Sequence, residues 1–190
     1  MSWFIFAFGF GFGVFNVYKF RRHRTYSMGL FYFLALTTIV VRILYFTVLL
    51  VYEYAPINYF LTSLPGFISV SVGLSQLMNY TCLIIKLNLI IEERKAQSYS
   101  HTAEFASRRK EMLTQVGFTV LIVMMPLIFV VQYVLLVDDY RSDENKDLMD
   151  WWQHFSFQVL FLFATLSICL ISTTMHLVEK MTELFGERNV

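Results

Sequence analysis

Two basic side chains, Arg42 and Lys86, sit inside long apolar runs, and buried charge of this kind marks the place where a chain of this type does chemistry or meets a ligand. Lys86 stands near one end of its run, where its methylene stem can carry the ammonium out to an interface. Arg42 stands near the middle of its run, in the stretch Val-Val-Arg-Ile-Leu-Tyr-Phe. A central Arg costs about 2.5–3.5 kcal/mol on insertion scales. The apolar runs contain no Asp or Glu, so an acidic partner at that depth has to come from elsewhere.

Amide and hydroxyl oxygens can serve instead. Matching the ends of the second and third apolar runs, in antiparallel helices rising ~1.5 Å per residue, sets Arg42 level with Ser75, Gln76 and Asn79. Inter-helix bonds of this kind contribute about 1 kcal/mol each or less. The pattern supports a structural clamp between the two helices. The lesser alternative is a ligand, a lipid or a carboxylate from a partner subunit.

Other chemistries find little support. His23, His101, His154 and His176 occupy run ends or connections, unlike a facing pair that would grip a haem. No His-Glu-x-x-His pattern, intramembrane acid pair or Gly-x-Ser-x-Gly turn occurs, so the expectation is a protein that is not an enzyme, with no metal and no cofactor. Cys82 and Cys169 lie in apolar surroundings as small hydrophobes.

The elements that must position these groups follow from composition. Of 190 residues, 57% are hydrophobic and 15% charged, with twenty Phe, more apolar surface than a water-soluble fold of this size can hide. The net charge of +1 argues against a nucleic-acid partner. The expected fold is an all-α, polytopic transmembrane bundle forming one domain. Its five spans fall at about 2–18, 28–52, 64–91, 113–137 and 155–177. Pro126 is expected to kink the fourth span and to free a carbonyl near Ile122. The pairs Ser69/Gly73 and Ser71/Ser75 offer small faces for close helix packing. Residues 92–112 read as the one sizeable soluble segment, opening as a continuation of the third helix.

Loop charge sets the orientation. Lys19, Arg21, Arg22, Arg24, Arg94, Lys95, Arg108, Arg109, Lys110, Lys180 and Arg188 gather on one side, against Arg141 and Lys146 on the other. The N-terminus is therefore expected outside and the C-terminus in the cytosol, or in the matrix of a mitochondrion. Trp3, Trp151 and Trp152 fall at the outer boundary as interfacial anchors. Arg21, Arg22, Arg24, Arg108, Arg109 and Lys110 are topogenic charges placed to meet anionic lipid headgroups at the inner face.

A short basic loop (Arg21, Arg22, Arg24) leads to an aromatic-rich helix with Phe31 and Phe33 and the mid-helix Arg42. A connection ending Leu-Pro-Gly-Phe (64–67) then opens a Ser-rich helix. This order resembles the N-terminal part of the tobamovirus-multiplication family of seven-helix membrane proteins, over about residues 1–90. The resemblance implies architectural roles for Arg42 and Pro65 and a non-enzymatic endomembrane protein, vacuolar or lysosomal in type, that recruits partners. The chain departs from the family in having five expected helices and Leu-Ile-Ile-Lys-Leu-Asn (83–88) at the end of the third.

The leading expectation is thus a non-catalytic scaffold or receptor-like protein whose partners are the bilayer, anionic lipids and other membrane subunits. The alternative is an accessory subunit of a larger assembly such as a respiratory chain in the mitochondrial inner membrane. A third reading is a small transporter or channel lined by Arg42, Gln76 and Asn79.

Overall fold

A computed structural model describes residues 26–49, 55–96, 101–142 and 148–186, together with Phe10, Gly11, residues 13–15 and Tyr18. All are helical. Four helices stand out: α1 (Tyr26–Leu49), α2 (Ala55–Ala96), α3 (His101–Ser142) and α4 (Leu148–Gly186). Each contains a stretch long and apolar enough to cross a membrane. Uninterrupted helix is what lipid demands, because there no water satisfies a free backbone group. The first expected span, 2–18, is represented by the scattered helical residues up to Tyr18. A Cβ on Gly13 would lie 2.9 Å from Leu36 Cδ2, so Gly13 packs on α1.

The long helices correct one sequence expectation and extend others. Pro65 lies inside α2, ten residues beyond its start, and does not open the helix. It is fully buried, and the Ser69 hydroxyl donates to its carbonyl at 2.7 Å. Residues 92–112, expected to open as a continuation of the third helix, are helical to Ala96 and again from His101, where α3 starts. Past the fourth expected span, α3 continues to Ser142, and α4 starts at Leu148. Hydropathy marks where lipid stops, whereas a helix stops only where its backbone hydrogen bonding stops.

α2 is the hub and packs against α1, α3 and α4. One of its faces carries Phe67, which joins Phe129 of α3 and Phe155 of α4 in a buried aromatic core, with ring centroids 4.9 and 5.8 Å from that of Phe129. Another face meets α4 through glycines. A Cβ on Gly66 would lie 3.2 Å from Val159 Cγ1, and one on Gly73 would run into Leu166. Both members of these pairs advance by seven residues, so α2 and α4 run parallel with a heptad seam. The seam thus uses Gly66 together with Gly73 of the expected pair Ser69/Gly73. Ser71 turns to α3, where its hydroxyl lies 3.1 Å from the Ile122 carbonyl.

Candidate functional site: an arginine cleft and a polar ladder

Arg42 projects from α1 into a cleft of about 280 Å³ formed with α2 and α4. Thr62, Ser63 and Gly66 line it from α2, and Phe155, Ser156, Val159, Leu160 and Phe163 line it from α4. Among the described residues Arg42 makes no hydrogen bond or ion pair.

This placement separates the expected polar cluster. Ser75 is fully buried and donates to the Val72 carbonyl at 2.7 Å. Gln76 lines a second groove, with Tyr80 and with Leu170, Ile171 and Thr174 of α4. Asn79 is partly buried and takes no hydrogen bond from Arg42. The cause is register. α2 is already helical from Ala55, nine residues before the expected start at 64. Its residues in the cleft, Thr62, Ser63 and Gly66, lie ~20 Å along the helix from the expected Ser75, Gln76 and Asn79. Arg42 consequently shares its cleft with Thr62 and Phe155, each seven residues inside its helix, since α2 starts at Ala55 and α4 at Leu148. Its cleft lies toward one end of the bundle, where mid-depth burial was expected.

At the opposite end the other intramembrane base has an acidic partner. Lys86 Nζ lies 2.9 Å from Glu111 Oε1 of α3, with the side chains 46% and 21% exposed. The contact extends as a ladder. Gln115 Nε2 donates to Glu111 Oε1 at 3.3 Å, Thr119 donates to the Gln115 carbonyl at 2.7 Å, and Tyr26 Oη lies 3.4 Å from the Thr119 hydroxyl. A sequence search confined to spans misses this pair, since Glu111 stands two residues before the span at 113–137. The usable signal was the antiparallel register of α2 and α3 across residues 97–100. Gln132 was also passed over. Its Oε1 is buried without a hydrogen-bond partner.

Beyond the ladder α2, α3 and α4 continue as a projecting, charged end. Lys95 Nζ lies 2.6 Å from Glu183 Oε1 and Lys180 Nζ 3.0 Å from Glu183 Oε2. Arg94 Nη1 donates to the Leu184 carbonyl at 3.2 Å, placing a cation on the last turn of α4 where the helix dipole is negative. The hydrogen bonds from Lys95 and then Lys180 hold the Glu183 carboxyl below the usual glutamate range. Arg108 pairs with Glu104 at 2.6 Å, and Arg109 and Lys110 are exposed beside it.

Several expected positions fall elsewhere. Trp3, Arg21, Arg22 and Arg24 lie outside the described residues. Trp151 and Trp152 belong to the first turns of α4, but their side chains lie outside what is described. Pro126 lies within α3 and is partly buried. Among the described residues no three His, Cys, Asp or Glu side chains come together as a metal site.

No protein-family model matches this chain, and neither the curated proteins nor the solved structures contain a match to it.

Proposed function

We propose that this chain is a non-catalytic multi-pass membrane scaffold whose charged end recruits partner proteins. One observation carries the reading. α2, α3 and α4 hold 42, 42 and 39 residues and are about 58–63 Å long, roughly twice the ~30 Å hydrocarbon core. Because α2 and α4 are parallel, their excess emerges together, and Arg94, Lys95, Lys180 and Glu183 join it across the two helices. A rigid helical platform is a better docking element than a mobile loop, because less ordering entropy opposes binding.

In this reading the platform faces the cytosol, or the matrix, as the basic-residue bias directs, and the N-terminus is outside. Arg109 and Lys110 then stand beside the inner leaflet and attract anionic headgroups. The membrane is an endomembrane of vacuolar or lysosomal type, in line with the resemblance carried by Arg42 and Pro65.

A second reading, as an accessory subunit of a larger complex, draws on α1. Its apolar stretch Met28–Val48 contains no buried residue, so a neighbouring subunit would find a complete helix face there. Photo-crosslinking in native membranes separates the two. A crosslinker at Thr182 on the platform is expected to give discrete protein adducts. Adducts only from a crosslinker at Leu44 on α1, with co-migration in a large native assembly, would replace the scaffold by the subunit.

A further inference from the structure

The Arg42 cleft has a shape and a charge that point to an occupant. A guanidinium stays ionised and offers five N–H donors in a planar fork. In the cleft it faces Phe155, Val159, Leu160 and Phe163, with hydroxyl groups as the polar part of the lining. A charge in apolar surroundings calls for a counter-ion, and none comes from the described residues. The apolar wall is directional. Phe155, Val159 and Phe163 follow one another at four-residue intervals on α4, a stripe ~12 Å long parallel to the bundle axis. The Phe155 end lies seven residues from the start of α4, so the stripe runs from the end of the bundle where Arg42 shares the cleft with Thr62 toward its middle.

We propose that this cleft holds one anionic amphiphile, its carboxylate or phosphate head paired with Arg42 and its acyl chain along Val159, Leu160 and Phe163. Head toward the end of the bundle and chain toward its middle is the orientation of a lipid in its own leaflet. Bidentate pairing suits both head groups. A partner helix, ~10–12 Å across, does not enter a cleft of about 280 Å³. Ser156, exposed beside Phe155, adds a hydroxyl donor for the head. This inference rests on the membrane-spanning bundle and is independent of what the platform recruits.

The test uses the full chain in phosphatidylcholine nanodiscs with palmitic acid carrying a diazirine on its chain. Photolabelling is expected within 155–163 and is expected to be competed by palmitate but not by hexadecanol, which has the chain without the charge. Competition by phosphatidylglycerol in place of palmitate would assign the head to a phospholipid, and competition by palmitate alone to a free fatty acid. Arg42→Gln is expected to lower labelling at least tenfold, and Arg42→Lys to retain most of it. Leu160→Trp narrows the cleft without touching the charge and is expected to abolish labelling as well. Labelling of the groove at 170–178 serves as the fold control and should not change. Equal labelling in Arg42→Gln, or equal competition by hexadecanol, overturns the proposal, as does an absence of adducts within 155–163.

Discussion

The Ser71 hydroxyl lies 3.1 Å from the carbonyl of Ile122, the group that Pro126 deprives of its helical donor four residues on. Ser71 is fully buried, and its other acceptor, the Phe67 carbonyl of its own helix, is more distant at 3.3 Å. The serine of one helix thereby offsets the proline of the next. Within lipid, where water is absent, a free carbonyl finds a partner only from a neighbouring helix or side chain.

Ser71→Ala should therefore destabilise the bundle by about 1 kcal/mol, up to ~3 if the carbonyl stays unpaired. In a Pro126→Ala background the helix regains its own N–H, and the serine substitution should become nearly neutral. A double-mutant cycle on thermal unfolding in detergent measures the difference. Additive effects would separate Ser71 from Pro126.

The α2–α4 seam predicts opposite outcomes for two glycines. Gly117→Ala has open space and should stabilise α3 by up to ~1 kcal/mol through helix propensity. Gly73→Ala gains the same propensity but drives its methyl into Leu166, which is only 7% exposed, and should be net destabilising by ~1–2 kcal/mol. Leu166→Val should return part of that loss. Equal effects at the two glycines would break the proposed seam.

For the Lys86–Glu111 pair, both side chains are partly exposed and the expected contribution is correspondingly small, about 1 kcal/mol or less. Glu111→Leu should cost more than Lys86→Met, because the glutamate also holds Gln115. The charge-reversed double variant should recover most of the stability lost by either single reversal. Failure to recover would mean that the ladder depends on the carboxylate being on α3.

Acid should open the platform, and only late. The Glu183 carboxyl is held below its ordinary range by Lys95 and Lys180, so its contribution is complete above the unfolded-state value. It is lost as pH falls through the lower, folded value. Spin labels on Glu93 and Thr182 should keep their spacing from neutral pH down to the ordinary glutamate value of ~4.3 and separate only below it. Glu183→Gln should show no such transition. Separation already near pH 6 would contradict the assignment to Glu183.

Much of the architecture was legible because it is local. The apolar stretches of α1 to α4 follow from summed transfer energies over about twenty residues, whatever lies beside them. The orphan at Ile122 was equally local, set by Pro126 four residues later. The end of a helix was less legible: α2 overran its apolar stretch at both ends, and hydropathy is silent about backbone hydrogen bonds in water.

The residues by themselves thus determined an all-helical membrane chain with Arg42 and Lys86 as its costly charges. Only the tertiary structure decided what surrounds them. Arg42 left Gln76 and Asn79 for the cleft with Thr62 and Phe155, and Lys86 gained Glu111. The physical reason is register. A hairpin that turns a few residues earlier displaces every pair along two helices by twice that number, and an apolar sequence, soluble in lipid at any offset, does not specify the offset. Close packing does, through Gly66 on Val159, Gly73 on Leu166 and Ser71 on Ile122.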